Sequence, residues 1–333
     1  MQKCKKNVLW KDSVASFWLN GIERCIKLSD QLKTGKYKAA PPKKFTITSP
    51  KKREVVSVAF RDRVYQRSLA DQIVYPCMTK PLLNSNCACQ KGKGTDYARN
   101  LLKRYVREAY QKHGLDAYVL KIDVKGYYLN IPHKQAEERF KRYLPEWAAK
   151  RAVNILQGQY SGDTGYYAGS QLVQIVGVSY MNHIDHYVKE KLGIKWYIAY
   201  QDDSILIHHD KAYLTKCLSD ITAMLTDLGL KPHPDKTKIT PFSKGIEFLG
   251  FTFKPTETGK VLMLINSDNV KKRRKTLYRA AKKLPEQKLD EMQQAWIAHV
   301  AKGNTYHLQE RMDEYIKQVK ENAYAISQEH DAD

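Results

Sequence analysis

Apolar residues along the chain fall into distinct periodic runs. From residue 13 to 33 they follow a helical period, which predicts one amphipathic helix. Beyond it Pro41, Pro42 and Pro50 break any helix, and alternation in KFTIT and REVVSVAF predicts two short strands. A helix is expected over 63–75, then a Gly/Lys loop opening another helix at Thr95, whose hydroxyl suits an N-cap. DAYVLKIDVKGYYLNIPH predicts a strand with Tyr118, Leu120 and Ile122 on one face and Asp123 at its end. Residues 195–200 and 204–207 are dense in aromatic and β-branched residues, and QDD has the length of a tight connection between antiparallel strands. Leu214, Cys217, Leu218, Ile221, Leu225 and Leu228 then recur at helical spacing up to Gly229, a core stripe.

Charge adds a partner to this picture. The 333 residues carry 57 Lys and Arg against 35 Asp and Glu, a net charge of +22, which suits a polyanion, nucleic acid foremost. Ten basic residues lie between Lys33 and Arg63 against two acidic ones, and eight between Lys271 and Lys283 with none. The second run has helical periodicity and would offer a basic face to a nucleic-acid backbone. In CQKGKGTDYARN, glycines beside lysines ahead of a helix suit an anion, but no GxxxxGK[ST] is present, so a nucleotide-hydrolysing loop is not indicated. The six cysteines form no CxxC pair and read as reduced thiols of a cytosolic protein. No apolar run approaches the roughly 18 residues of a membrane span.

Asp202 and Asp203 at the tip of a buried hairpin need a cation, because burying two like charges is otherwise unfavourable. Together with Asp123 they supply three carboxylates, which is what a two-metal phosphoryl-transfer site requires. Mg²⁺ prefers such hard oxygens and leaves positions for substrate phosphates. His208 and His209, adjacent on a strand, are expected on opposite faces and so unable to share a metal, and Trp296 and His299 read as packing residues.

KIDVKGYYLNI and YQDD resemble the two aspartate-bearing motifs of the reverse transcriptases, and the likeness runs over roughly residues 20 to 310. It implies an α+β right-hand polymerase with fingers, a palm built on an antiparallel sheet flanked by helices, and a helical thumb. The N-terminal helix and fingers would occupy 1–115, the palm 116–262 with a fingers-side helical segment at 133–163, and the thumb with a short tail 263–333. Asp123, Asp202 and Asp203 would be catalytic and hold two Mg²⁺ ions, for which Mn²⁺ can substitute. Tyr128, five positions after the first aspartate, would pack under the incoming sugar and reject a 2′-hydroxyl. PKKREVV and FRDRVYQ resemble finger segments that contact the triphosphate, which implies Arg53 and Arg63, with Lys52 and Arg61 as alternatives. Gln174 and Lys236, in segments similar to the family's, would also face the nucleotide. GIEFLGF resembles the hairpin that grips the primer, implying Gly250, and nucleic-acid contacts are expected from Lys91, Lys93, Lys271 and Arg274.

LKTGKYK, CACQKGKGTDYA, NHIDHYVKEKLGIKWY and WIAHVAKGNTYHL are similar to prokaryotic enzymes of the diversity-generating retroelement and of the abortive-infection or unknown-group type. In GYYAGSQLVQ, Gly165, Gly169 and Gln174 match the first of these groups, while Tyr167 replaces a proline and Val173 a serine. The expected function is RNA-directed DNA synthesis in a diversity-generating retroelement. The alternative is antiphage defence with non-coding-RNA-templated, template-independent or protein-primed synthesis. Expected partners are an RNA template, a DNA or RNA primer, dNTPs, a structured non-coding RNA and a small accessory protein, with no membrane, in a prokaryotic cytoplasm. An RNA-binding protein with an idle site is disfavoured by three intact carboxylates. A nuclease is disfavoured by the polymerase-like segments around them.

Overall fold

The computed structural model describes residues 1–48, 52–167 and 169–330, so Pro50, Lys51 and Ala168 of the segments quoted above lie outside the described residues. The chain divides into two units, one of Met1–Ala98, Leu120–Leu206 and Ala212–Ile239, the other of Arg99–Val119, Ile207–Lys211 and Thr240–Asp333.

In the first unit the single helix expected over 13–33 is two, Asp12–Leu19 and Gly21–Lys33, because Asn20 leaves helical geometry at φ −113° and ψ 38°. The N-terminus packs across this break: a Cβ on Gly21 would come within 2.6 Å of Met1 Sδ. Strands β1 (Lys43–Ile47) and β2 (Arg53–Ser57) form an antiparallel hairpin with Lys43 opposite Ser57 and Ile47 opposite Arg53. Phe60, expected at the end of the second strand, begins helix Phe60–Leu69, which continues through a wide turn at Ala70–Val74 into Tyr75–Thr79. Ala70, Val74 and Met78 are fully buried at four-residue spacing, and this core contact carries the helix past its expected end.

Strands β3 (Tyr118–Asp123), β4 (Trp196–Tyr200), β5 (Asp203–His208) and β6 (Lys238–Pro241) make a sheet in the order β4-β5-β3-β6. Only Gln201 and Asp202 separate β4 from β5, a connection open only to antiparallel neighbours. Four consecutive residues in each, Trp196 to Ala199 and Ser204 to Ile207, are buried, so these strands are covered on both faces. Helix Lys211–Asp227 provides part of the cover: its Ile221 and Leu225 line a small enclosed space with Ile122, Ile184, Tyr197 and Leu206. The stripe from Leu214 to Leu228 is core as expected, with Leu218 alone half-buried.

Helix Thr95–His113 begins in the first unit and enters the second at Arg99. Thr95 is its first residue rather than its cap. Gly94 takes the cap position, with its carbonyl accepting from Ala98 N at 2.9 Å and a φ of 152° that favours glycine. The second unit holds an antiparallel meander of β7 (Ile246–Phe248), β8 (Phe251–Pro255) and β9 (Val261–Ile265), with Phe248 opposite Phe251 and Phe253 opposite Met263. Helices Ser267–Ala281, Glu286–Val300 and Tyr306–His330 follow. Leu277, Leu289, Met312 and Ile316 form their shared core, and Trp296 packs against it. The expectation for His208 and His209 is corrected: β5 ends at His208, so strand alternation stops there and the two rings approach to 4.4 Å, with His209 stacked on His113. Among the described residues, no helix is long and apolar enough to cross a membrane.

Candidate active site

The three aspartates meet because β3 and β5 are neighbours in the sheet. Asp123 ends β3, Asp203 begins β5, and Asp202 sits in the turn with its carbonyl accepting from Val124 N at 3.1 Å. Gln201 gives the hairpin its sharp reversal by adopting φ 56°, a left-handed conformation costly for a residue with a side chain. Its amide Nε2 donates to Cys89 Sγ at 3.0 Å, which ties the turn to the Gly/Lys loop.

Asp123 is buried and firmly held. Lys236 Nζ donates to both of its carboxylate oxygens at 3.0 and 3.1 Å, and the Asp123 carbonyl accepts from His233 N at 2.7 Å. The KPHPDKTKI segment therefore clasps the first aspartate from side chain and backbone together. Lys121, two residues before Asp123 and so on the same face of β3, places Nζ 3.9 Å from Asp203 Oδ1. Burial pushes Asp203 up to about 6; Lys121 opposes this, and the charges of Asp202 and Asp123 add to it. Asp202 is raised as well, first by burial and further by Asp123. Burial is the main cause of both shifts, and the neighbouring carboxylates add to it.

Among the described residues, no three His, Cys, Asp or Glu side chains are gathered closely enough to hold a metal ion by themselves. Asp123 faces Lys236, whereas Asp203 Oδ1 is buried with no hydrogen bond. An orphaned buried carboxylate oxygen beside two more carboxylates is the hard-oxygen donor chemistry that suits a divalent cation such as Mg²⁺.

Tyr128 lies flush on helix Gln171–Tyr180: a Cβ on Gly177 would fall 2.5 Å from its ring and its hydroxyl. That hydroxyl is buried without a partner, and burial together with the charges of Cys89 and Asp202 raises its pKa. Gln174 is exposed on the same helix. Arg53 is exposed at the start of β2 and Arg63 is half-buried in helix Phe60–Leu69. Among the described residues, neither forms an ion pair with the three aspartates. Arg61 is engaged within the fold, donating to Asp62 at 3.2 Å and to the Lys38 carbonyl at 2.6 Å. Lys91 lies over the Tyr75 ring at 5.1 Å. Lys93 Nζ is within bonding distance of the carbonyls of Leu83, Asn84 and Asn86, so its donors brace the loop, an internal task the sequence did not suggest. In the second unit, Gly250 is exposed in the β7–β8 turn. Lys271 is exposed beside Asp268, and Arg274 lies 5.1 Å from the Tyr315 ring.

A polar network behind the hairpin carries no motif of its own. Asp185 is fully buried and accepts from Tyr197 Oη at 2.5 Å and Asn86 Nδ2 at 3.0 Å. Asn86 bridges β4 at Ala199, flanked by bonds from Cys87 N to Ala199 O and from Ala199 N to Ser85 O, both 2.9 Å. The aspartate in NHIDHYV was the one available signal, a carboxylate one turn after the apolar Val176–Met181 segment. Lys121 was legible from strand alternation alone.

This sheet brings its two aspartate-bearing elements together. The chain belongs to the reverse transcriptase family: residues 42–253 match the family described as "Reverse transcriptase (RNA-dependent DNA polymerase)". Among solved structures it is similar to a telomerase from Candida albicans in complex with a TWJ fragment of telomeric RNA. The identity is 12%, the TM-score 0.50, and 96% of this chain and 65% of that one are covered. Apo telomerase from Candida tropicalis also matches, at 13% identity and TM-score 0.49, with 80% and 57% covered. At such identity the first likeness shows the fold, and this chain spans just under two thirds of that relative's length. No curated protein matches the chain.

Proposed function

We propose that this chain is an RNA-directed DNA polymerase that extends a primer along an RNA template by two-metal nucleotidyl transfer. The reading rests on one observation above all: three aspartates brought together by β3 and the neighbouring β4–β5 hairpin of a family-type sheet, with an Asp203 carboxylate oxygen that accepts no hydrogen bond. Asp123, Asp202 and Asp203 would hold two Mg²⁺ ions, or Mn²⁺ in their place, which when bound supply charge stabilisation for attacking and leaving oxygens. Lys236 would leave Asp123 for a triphosphate oxygen as the nucleotide arrives, since its ammonium is half-exposed and can turn outward. Tyr128, backed rigidly by Gly177, would present a fixed wall to the sugar and exclude ribonucleotides. Arg53, Arg63 and Gln174 would orient the nucleotide, and Lys91, Gly250, Lys271 and Arg274 would hold the nucleic-acid backbone.

Residues 1–115, 116–262 and 263–333 would then act as fingers, palm and thumb. We place the enzyme with the prokaryotic diversity-generating retroelement type, acting in the cytoplasm with a structured RNA and a small accessory protein. A defence role is the second reading, left open by Tyr167, which stands where the retroelement enzymes carry proline. The test is incorporation of labelled dNTPs, and separately NTPs, on a primed RNA with Mg²⁺, by wild type and by an Asp202→Ala, Asp203→Ala variant. Extension with dNTPs alone, abolished in the variant, is the expected result. Equal activity in both proteins would remove the aspartates from catalysis.

A further inference from the structure

The β7–β8 connection is two residues long, Leu249 and Gly250, and both are left-handed, at φ 47° and 87°. That is the geometry of a type I′ hairpin turn, whose first position normally takes Asn, Asp or Gly. A leucine there is strained, and strain of this kind persists only where surrounding structure fixes it. The fixing group is Arg99, buried in the first turns of helix Thr95–His113 with 5% of its surface exposed. Its Nη2 donates to the Leu249 carbonyl at 3.0 Å, and its guanidinium lies 4.8 Å from the Phe251 ring centroid. The His299 ring also lies 5.2 Å from Phe251, and its Nε2 would be 3.5 Å from a Cβ on Gly250. A strained, exposed turn is thus clamped by a buried cation and an imidazole, while the backbone of Gly250 stays open to solvent.

We infer that Arg99 is a positioning residue that locks the Leu249–Gly250 turn so that its exposed backbone holds the primer strand. This rests on the polymerase reading above. Arginine suits the task because a planar guanidinium can stack on a ring and donate in a fixed direction at once, which a lysine cannot. A hydrophobic residue would fill the same space without orienting the carbonyl.

The experiment is steady-state extension by wild type, Arg99→Lys, Arg99→Met and the double variant Arg99→Met, Leu249→Gly, with thermal melts to confirm folding. Losing one charge-assisted hydrogen bond should raise KM for primer–template by about tenfold in both single variants, with KM for dNTP within about twofold of wild type. The double variant should regain most of the loss, because glycine adopts the left-handed turn unaided. If Arg99→Met does not fold, Arg99→Lys carries the same comparison. Unchanged primer KM in a folded variant, or no recovery in the double variant, overturns the inference while leaving the polymerase reading intact. A wild type that extends no primed template overturns that reading, and the inference falls with it.

Discussion

Asp185 is buried and accepts hydrogen bonds from Tyr197 and Asn86, and burial pushes it up to about 6 despite both donors. The folded chain therefore holds the Asp185 proton more tightly than the unfolded chain, whose carboxyl titrates near 3.8. Stability from this group is fully present below about pH 4, declines as pH rises to about 6, and stays lower above that. A tenfold change in proton affinity corresponds to about 1.4 kcal/mol, so the decline is of the order of 3 kcal/mol. Asp185→Asn should remove that slope, as seen in urea midpoints at pH 4, 5, 6 and 7. Parallel pH dependence in wild type and variant would show that the group titrates normally.

At the scale of elements, Gly169 shows why one loop residue constrains a strand. A Cβ there would collide with the Val56 carbonyl of β2, and its φ of 131° is itself unfavourable for any other residue. Gly169→Ala should cost roughly 3 kcal/mol or more by forcing the β1–β2 hairpin off its seat. A thermal midpoint within a degree or two of wild type would mean that the hairpin yields freely. This glycine was matched in the sequence, as were the hairpin QDD, the β3 strand and the core stripe of Leu214 to Leu228, because each is written in local periodicity or turn chemistry. Other features were not legible, since their causes are tertiary. The break at Asn20 reflects Met1 packing over Gly21, and the wide turn at Ala70–Val74 reflects core burial. Arg99 was hidden because an arginine in a basic helix reads as a solvated side chain until Leu249 and Phe251 are seen around it.

For the whole molecule the dominant property is charge. A surplus of 22 positive charges predicts RNA affinity that falls steeply with salt, since each neutralised phosphate releases counterions. Five or more backbone contacts give a slope of log K against log salt steeper than about −3 for a single strand. Fluorescence anisotropy of a labelled RNA between 50 and 300 mM KCl would measure it, and a slope shallower than about −1 would mean that the basic surface is not used as a backbone track.

The strand order β4-β5-β3-β6 also bears on how the protein comes to exist on the ribosome. Strand β3 is made early, but both of its sheet partners come later in the chain, β5 from Asp203 and β6 only to Pro241. At about 5–20 residues per second, roughly 6–24 s separate synthesis of Asp123 from completion of β6. Through that interval the nascent chain carries a largely apolar strand, YVLKID, with at least one unpaired edge. Its yield in a foreign host should therefore depend on holdase supply and translation speed more than on the stability of the finished fold.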